Sequence, residues 1–82
     1  MDKLYVYYAI NEINKELGTH EVDSKSDFEE VEQFIKDNPQ NKYIIDVYVV
    51  NESDKPVTVN DKTIVPSDEL IVGTIHLSAD NI

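Results

Sequence analysis

Seven consecutive apolar residues run from Leu4 to Ile10. Leu4, Val6, Tyr8 and Ile10 alternate with Tyr5, Tyr7 and Ala9, so an extended segment over residues 3–10 has two apolar faces and is predicted to be a central strand. Residues 11–18 are polar and end in a turn signal at Gly18-Thr19, after which His20-Glu21-Val22 can return as a short antiparallel strand. The period then changes. Phe28, Val31, Phe34 and Ile35 recur at helical spacing, behind Ser26-Asp27-Phe28-Glu29, which matches a capping box with Ser26 as the cap. Asn38-Pro39 stops this helix, because the residue before proline avoids the α region. Its outward face carries Glu29, Glu30, Gln33, Lys36 and Asp37, with Glu32 at the border.

Residues 42–50 are rich in Ile, Val and Tyr, with Asp46 as the one interior charge, on the face of Ile44, Tyr48 and Val50. They are predicted to form a strand. A turn cluster over residues 51–56 leads to Val57-Thr58-Val59 and Thr63-Ile64-Val65, which flank Asn60-Asp61-Lys62 as a tight hairpin. After Pro66-Ser67-Asp68, residues 69–77 alternate Leu70, Val72, Thr74 and His76 against Ile71, Gly73, Ile75 and Leu77. That pattern predicts a last strand before a polar tail. The order is β-(β)-α-β-β-β-β. It predicts an α+β fold in one domain over residues 1–82, with a mostly antiparallel sheet of four to six strands and one amphipathic helix packed on a face.

The chain has 82 residues, so one small core leaves little room for a deep cleft. Seventeen acidic residues against seven basic ones give a formal charge of −10. A field of that sign repels phosphate backbones, so nucleic acid is excluded as a direct partner, whereas basic protein surfaces are attracted. The same acidity also serves solubility alone. Cysteine is absent, which removes disulfides and thiolate ligation and favours a cytoplasmic setting. The apolar run is too short to span a bilayer and, with Asn11 and Glu12 behind it, is a poor signal peptide, so no membrane contact is expected. Asn51-Glu52-Ser53 matches a glycosylation sequon, which that setting makes a coincidence.

Candidate chemistry is sparse. His20 and His76 have no second His, no Cys and no carboxylate at metal-ligand spacing, so neither is read as a ligand. No nucleophile elbow or calcium loop is present, and two glycines cannot build a phosphate-cradling loop. Carboxylates are abundant, but without a pocket to raise one pKa they do not define an acid–base pair. A non-catalytic protein without metal or cofactor is expected. The tyrosines Tyr5, Tyr7, Tyr8, Tyr43 and Tyr48 all lie in strand patterns and are assigned to core packing rather than to an interaction patch. Charge is the feature with functional content: residues 12–37 hold nine acids and three lysines.

Lysine supplies every basic residue, and Asn, Ile and Tyr are frequent while Gly, Ala, Pro, Arg and Trp are scarce. That bias matches A/T-rich codons, as in a low-GC bacterium or its phage. Small size, acidity, absence of cysteine, this codon bias and a capped acidic helix beside a strand-rich sheet together resemble small phage-encoded inhibitors of bacterial defence, of the anti-CRISPR and DNA-mimic types. The resemblance spans the whole chain and carries no signature motif. It implies stoichiometric blocking, in the bacterial host cytoplasm, of a basic surface with which a host protein grips nucleic acid. Under it, Glu29, Glu30, Glu32 and Asp37 form the central partner-binding patch, with Glu12, Glu16, Glu21 and Asp23 at its edge. The alternative is a small structural or assembly accessory protein that forms homo-oligomers through its sheet.

Overall fold

The computed structural model describes residues 3–82, and its six strands and one helix follow the predicted order. Strands β1 (Leu4–Asn14), β2 (Gly18–Lys25), β3 (Lys42–Asn51) and β6 (Glu69–Ser78) form one antiparallel sheet in the order β2-β1-β3-β6. Helix α1 (Phe28–Asp37) connects β2 to β3 across β1, and β4 (Val57–Val59) pairs with β5 (Lys62–Ile64) as a separate hairpin. A 3-10 turn at Ala79–Asn81 ends the described chain where only a polar tail was expected.

One face of the sheet meets the helix. Ile10, Tyr43 and Ile45 are buried with Val31 and Ile35 of α1, and Tyr8, Phe28, Phe34, Ile75, Leu77 and Ile82 pack around them. Two edge-to-face contacts lock the layers, Tyr8 on Phe28 with ring centroids 5.5 Å apart and Phe34 on Tyr43 at 5.8 Å. Tyr43 also donates its hydroxyl to the Asn38 carbonyl, 2.9 Å away, satisfying an acceptor at the helix end.

The helix begins one residue later than the capping-box spacing suggested. Asp27 is the cap: its backbone is extended, and its Oδ1 accepts the Glu29 amide at 3.0 Å. Two strands are longer than predicted. β1 continues through the mostly polar residues Asn11–Asn14, and β2 runs to Lys25, because the β1–β2 ladder supplies hydrogen bonds that hydrophobic pattern does not reveal. The hairpin turn is the two-residue Asn60-Asp61 pair, both at positive φ, so β5 starts at Lys62.

The alternation predicted for the last strand fails at one point. Gly73 pairs with Val47 but Ile71 pairs with Tyr48, leaving Val72 as an extra residue, so Leu70 and Ile71 exchange faces relative to strict alternation. At the far end of β3, Asn51 is fully buried. Its Nδ2 donates to the carbonyls of Lys55 and Ile64, each at 2.8 Å, while its Oδ1 accepts the amide and hydroxyl of Ser53. This one side chain ties the hairpin, with its buried Val57 and Ile64, to the sheet. With both Nδ2 protons engaged inside the fold, the sequon at Asn51 is closed to a glycosyl group.

Candidate functional site on the open sheet face

The sheet's second face has no helix over it. Cross-strand register places Tyr5, Tyr7 and Asn11 of β1 on this face with Tyr48 and Asp46 of β3, Ile71 and Thr74 of β6 and Glu21 of β2. Tyr7 and Tyr48 are directly opposite and stack nearly parallel, with centroids 4.9 Å apart and an interplanar angle of 5°. Tyr5 extends the stack at 6.1 Å. Three of the five tyrosines assigned to the core thus form an aromatic ladder at the surface, Tyr5 being 41% and the adjoining Ile71 48% exposed. Both faces of β1 are apolar, and only the tertiary fold decides which one the helix covers.

Carboxylates surround the ladder. The Tyr7 hydroxyl donates to Glu69 Oε2 at 2.7 Å. Burial among its neighbours, reinforced by that hydrogen bond and the Glu69 charge, pushes the Tyr7 phenol up to about 12. Burial likewise raises Tyr48, with the negative charges of Asp46, Glu69 and Glu21 adding to it. Asp46, the sole charge inside β3, accepts from Asn11 Nδ2 at 3.1 Å and from Thr74 Oγ1 at 3.2 Å. These two uncharged donors fix its carboxylate and leave its negative charge uncompensated. Lys3–Glu52 and Lys25–Asp23 are the ion pairs among the described residues, so Glu21, Asp46 and Glu69 have no cation of their own.

The eight acids predicted as a partner-binding set do not sit on one surface. Glu29, Glu30 and Asp37 are exposed on the helix, and Glu32 is half-buried. Asp37 accepts from Gln33 Nε2 at 2.9 Å. Asp23 is paired with Lys25 at 3.2 Å, and the Ser24 amide, then Lys25, hold its carboxyl below the usual range. Glu12 accepts from Asn41 Nδ2 at 2.6 Å, and Glu16 lines a groove that also contains Lys15 and Lys42. The fold does bring together Glu21 and Glu30. They line an open cleft of about 530 Å³ with Tyr5, Tyr7, Ser24, Lys25 and Ser26, which joins the aromatic ladder to the start of the acidic helix around the β2 edge. Glu69 and Asp46 were missed at the sequence level. The spacing of Asp46 and Tyr48 on one face was visible, but the partners on β1 and β6 depend on register.

Among the described residues no three His, Cys, Asp or Glu are grouped to hold a metal ion, and no helix is long and apolar enough to cross a membrane. Comparison with protein-family models, curated proteins and solved structures finds no match to this chain.

Proposed function

We propose that this chain is a non-catalytic binding protein whose open sheet face docks on a basic protein surface. The observation that carries the reading is the Tyr5–Tyr7–Tyr48 ladder set among Glu21, Asp46 and Glu69, three carboxylates with no paired cation among the described residues. Stacked aromatic faces attract guanidinium and ammonium groups, and adjoining carboxylates accept their hydrogen bonds. Tyrosine also provides large contact area at low entropic cost, as binding hot spots require. The helix acids Glu29, Glu30, Glu32 and Asp37 supply the long-range field that steers a basic partner, and Glu30 continues the contact around the β2 edge. A surface that grips nucleic acid has the complementary chemistry. The chain then acts as a stoichiometric inhibitor of a host nucleic-acid-binding protein, competing with the phosphate backbone.

The test is capture by the tagged protein from a low-GC bacterial lysate at low and moderate salt, followed by titration of the identified partner against its nucleic acid. Tyr7→Ser/Tyr48→Ser and Glu21→Lys/Glu69→Lys are run beside Glu29→Lys/Glu30→Lys. The expected result is salt-sensitive capture of a nucleic-acid-handling protein, displacement of its nucleic acid at one-to-one stoichiometry, and loss of about 100-fold in affinity for each open-face variant. The helix variant slows association instead. Unchanged affinity in folded open-face variants would remove the ladder as the contact surface.

A further inference from the structure

The sheet has two edges of opposite character. β2 carries His20, Glu21, Asp23 and Lys25 within eight residues, and its register with β1 breaks at Val22. Charge and a bulge are both devices that keep an edge from pairing with another chain. β6 has a single acid, Glu69, at its first position, and Leu70–Ala79 is the longest stretch of the sequence without a charged residue, counting His76 as neutral. Its bulge falls early, at Val72, which leaves Gly73–Ser78 in unbroken register with β3. No described strand pairs with its outer side. The Ser78 amide donates to Asn81 Oδ1 at 3.1 Å. Amides alternate in direction along a strand, so those of His76 and Thr74 share the Ser78 orientation and lie along the free edge.

We propose that β6 is a self-pairing edge. Two copies join β6 to β6 antiparallel, about a two-fold axis normal to the sheet, into one continuous eight-stranded sheet. The charge balance selects the occupant. A chain of formal charge −10 repels its own copies at most surfaces, and the uncharged β6 segment is where two copies meet with least repulsion. A basic partner, by contrast, gains nothing electrostatic at this edge. The guarded β2 edge makes the assembly close at two copies instead of growing into a filament. Under this symmetry both helices lie on one side of the joined sheet and both tyrosine ladders on the other, each ladder adjoining the contact through Ile71 of β6. The pairing is independent of what the open face binds.

Sedimentation and light scattering over a micromolar-to-millimolar series test it. The unaltered chain is expected to pass from monomer to dimer and no further. Added salt should promote the dimer, since screening weakens the repulsion between two acidic copies, whereas it weakens capture of a basic partner. Ile71→Lys/His76→Lys places lysines at two exposed positions and lowers the net negative charge, so general repulsion falls. It should nevertheless move the midpoint roughly tenfold or more toward monomer, because like charges face each other across the paired edges. Thr19→Lys on the β2 edge should not. Hydrogen exchange on the unaltered chain gives a readout without mutation: Thr74 and His76 amides should exchange more slowly as dimer forms. A monomer throughout the series, a dimer indifferent to the β6 lysines, or Thr74 and His76 exchange independent of concentration would each overturn the proposal.

Discussion

The two faces of the sheet are built from the same strands and nearly the same residue types, yet one is a core and the other a surface. On the covered side, Tyr8 and Tyr43 meet Phe28 and Phe34 edge-on, and Ile10 and Ile45 have no exposed area. On the open side, Tyr5, Tyr7 and Tyr48 stack only on one another, and the polar set Asn11, Asp46 and Thr74 occupies the neighbouring positions. Strand alternation places residues on faces but does not say which face receives the helix. The difference lies in what covers each side, and an aromatic left uncovered is available to a partner.

The largest effect is expected where the helix layer closes the core. Ile45→Ala removes a fully buried side chain between β1, β6 and α1 and should cost about 3 kcal/mol, lowering Tm by more than about 10 °C in a domain of this size. Ile71→Ala, on the open face of β6, should change stability by no more than about 1 kcal/mol, its side chain being half exposed. Thermal melts of the two variants check the contrast directly. Equal losses would mean that the open face is not open in solution.

Asn51→Ala comes next. It removes the Asn51 donor from the Ile64 carbonyl, leaves the Lys55 carbonyl with the Ser53 hydroxyl alone, and takes the acceptor from the Ser53 amide, all around a side chain with no solvent access. The expected loss is about 2–3 kcal/mol in urea unfolding. The effect should be local to the hairpin, with slower protection lost first at Val57–Ile64 in hydrogen exchange. A uniform loss over the sheet would place Asn51 in the main core instead.

Much of this architecture could be read from the chain. The stripe Phe28, Val31, Phe34 and Ile35 was visible as a helix because its period is unbroken, and β1 and β3 because their apolar residues fill both faces. β2 was nearly invisible, since GTHEVDSK has Val22 as its one large apolar residue and owes its extension to pairing with β1. The Val72 bulge was hidden for a related reason: register is a property of two strands, and it is what sends Ile71 to the tyrosine face. The candidate site was legible as charge but not as place. Eight acids stood out in sequence, yet Glu12, Asp23 and Asp37 found neutral or cationic neighbours, while Asp46 and Glu69, each isolated in its own strand, came to flank the ladder.

The smallest expected effects compare one tyrosine from each face. Tyr43→Phe takes a hydroxyl from the half-buried Asn38 carbonyl at the helix end and should cost about 1 kcal/mol at neutral pH. Tyr7→Phe removes an exposed hydrogen bond to Glu69 and should cost less than about 0.5 kcal/mol there. High pH reveals the second tyrosine. Its phenol ionises at about 12 in the fold against 10.0 ordinarily, so the folded state holds its proton where the unfolded chain has released it. The stability this contributes is fully present below pH 10.0, falls as pH rises, and is gone once pH passes the folded value of about 12. Tyr48 and Tyr43 are raised in the same direction and keep some of that slope in any single variant. Urea midpoints measured from about pH 8 to about pH 11 should therefore fall less steeply for Tyr7→Phe than for the unaltered chain. Parallel curves would mean that Glu69 and the ladder do not hold the Tyr7 proton, and that the open face lacks the anionic setting on which its attraction for a basic partner depends.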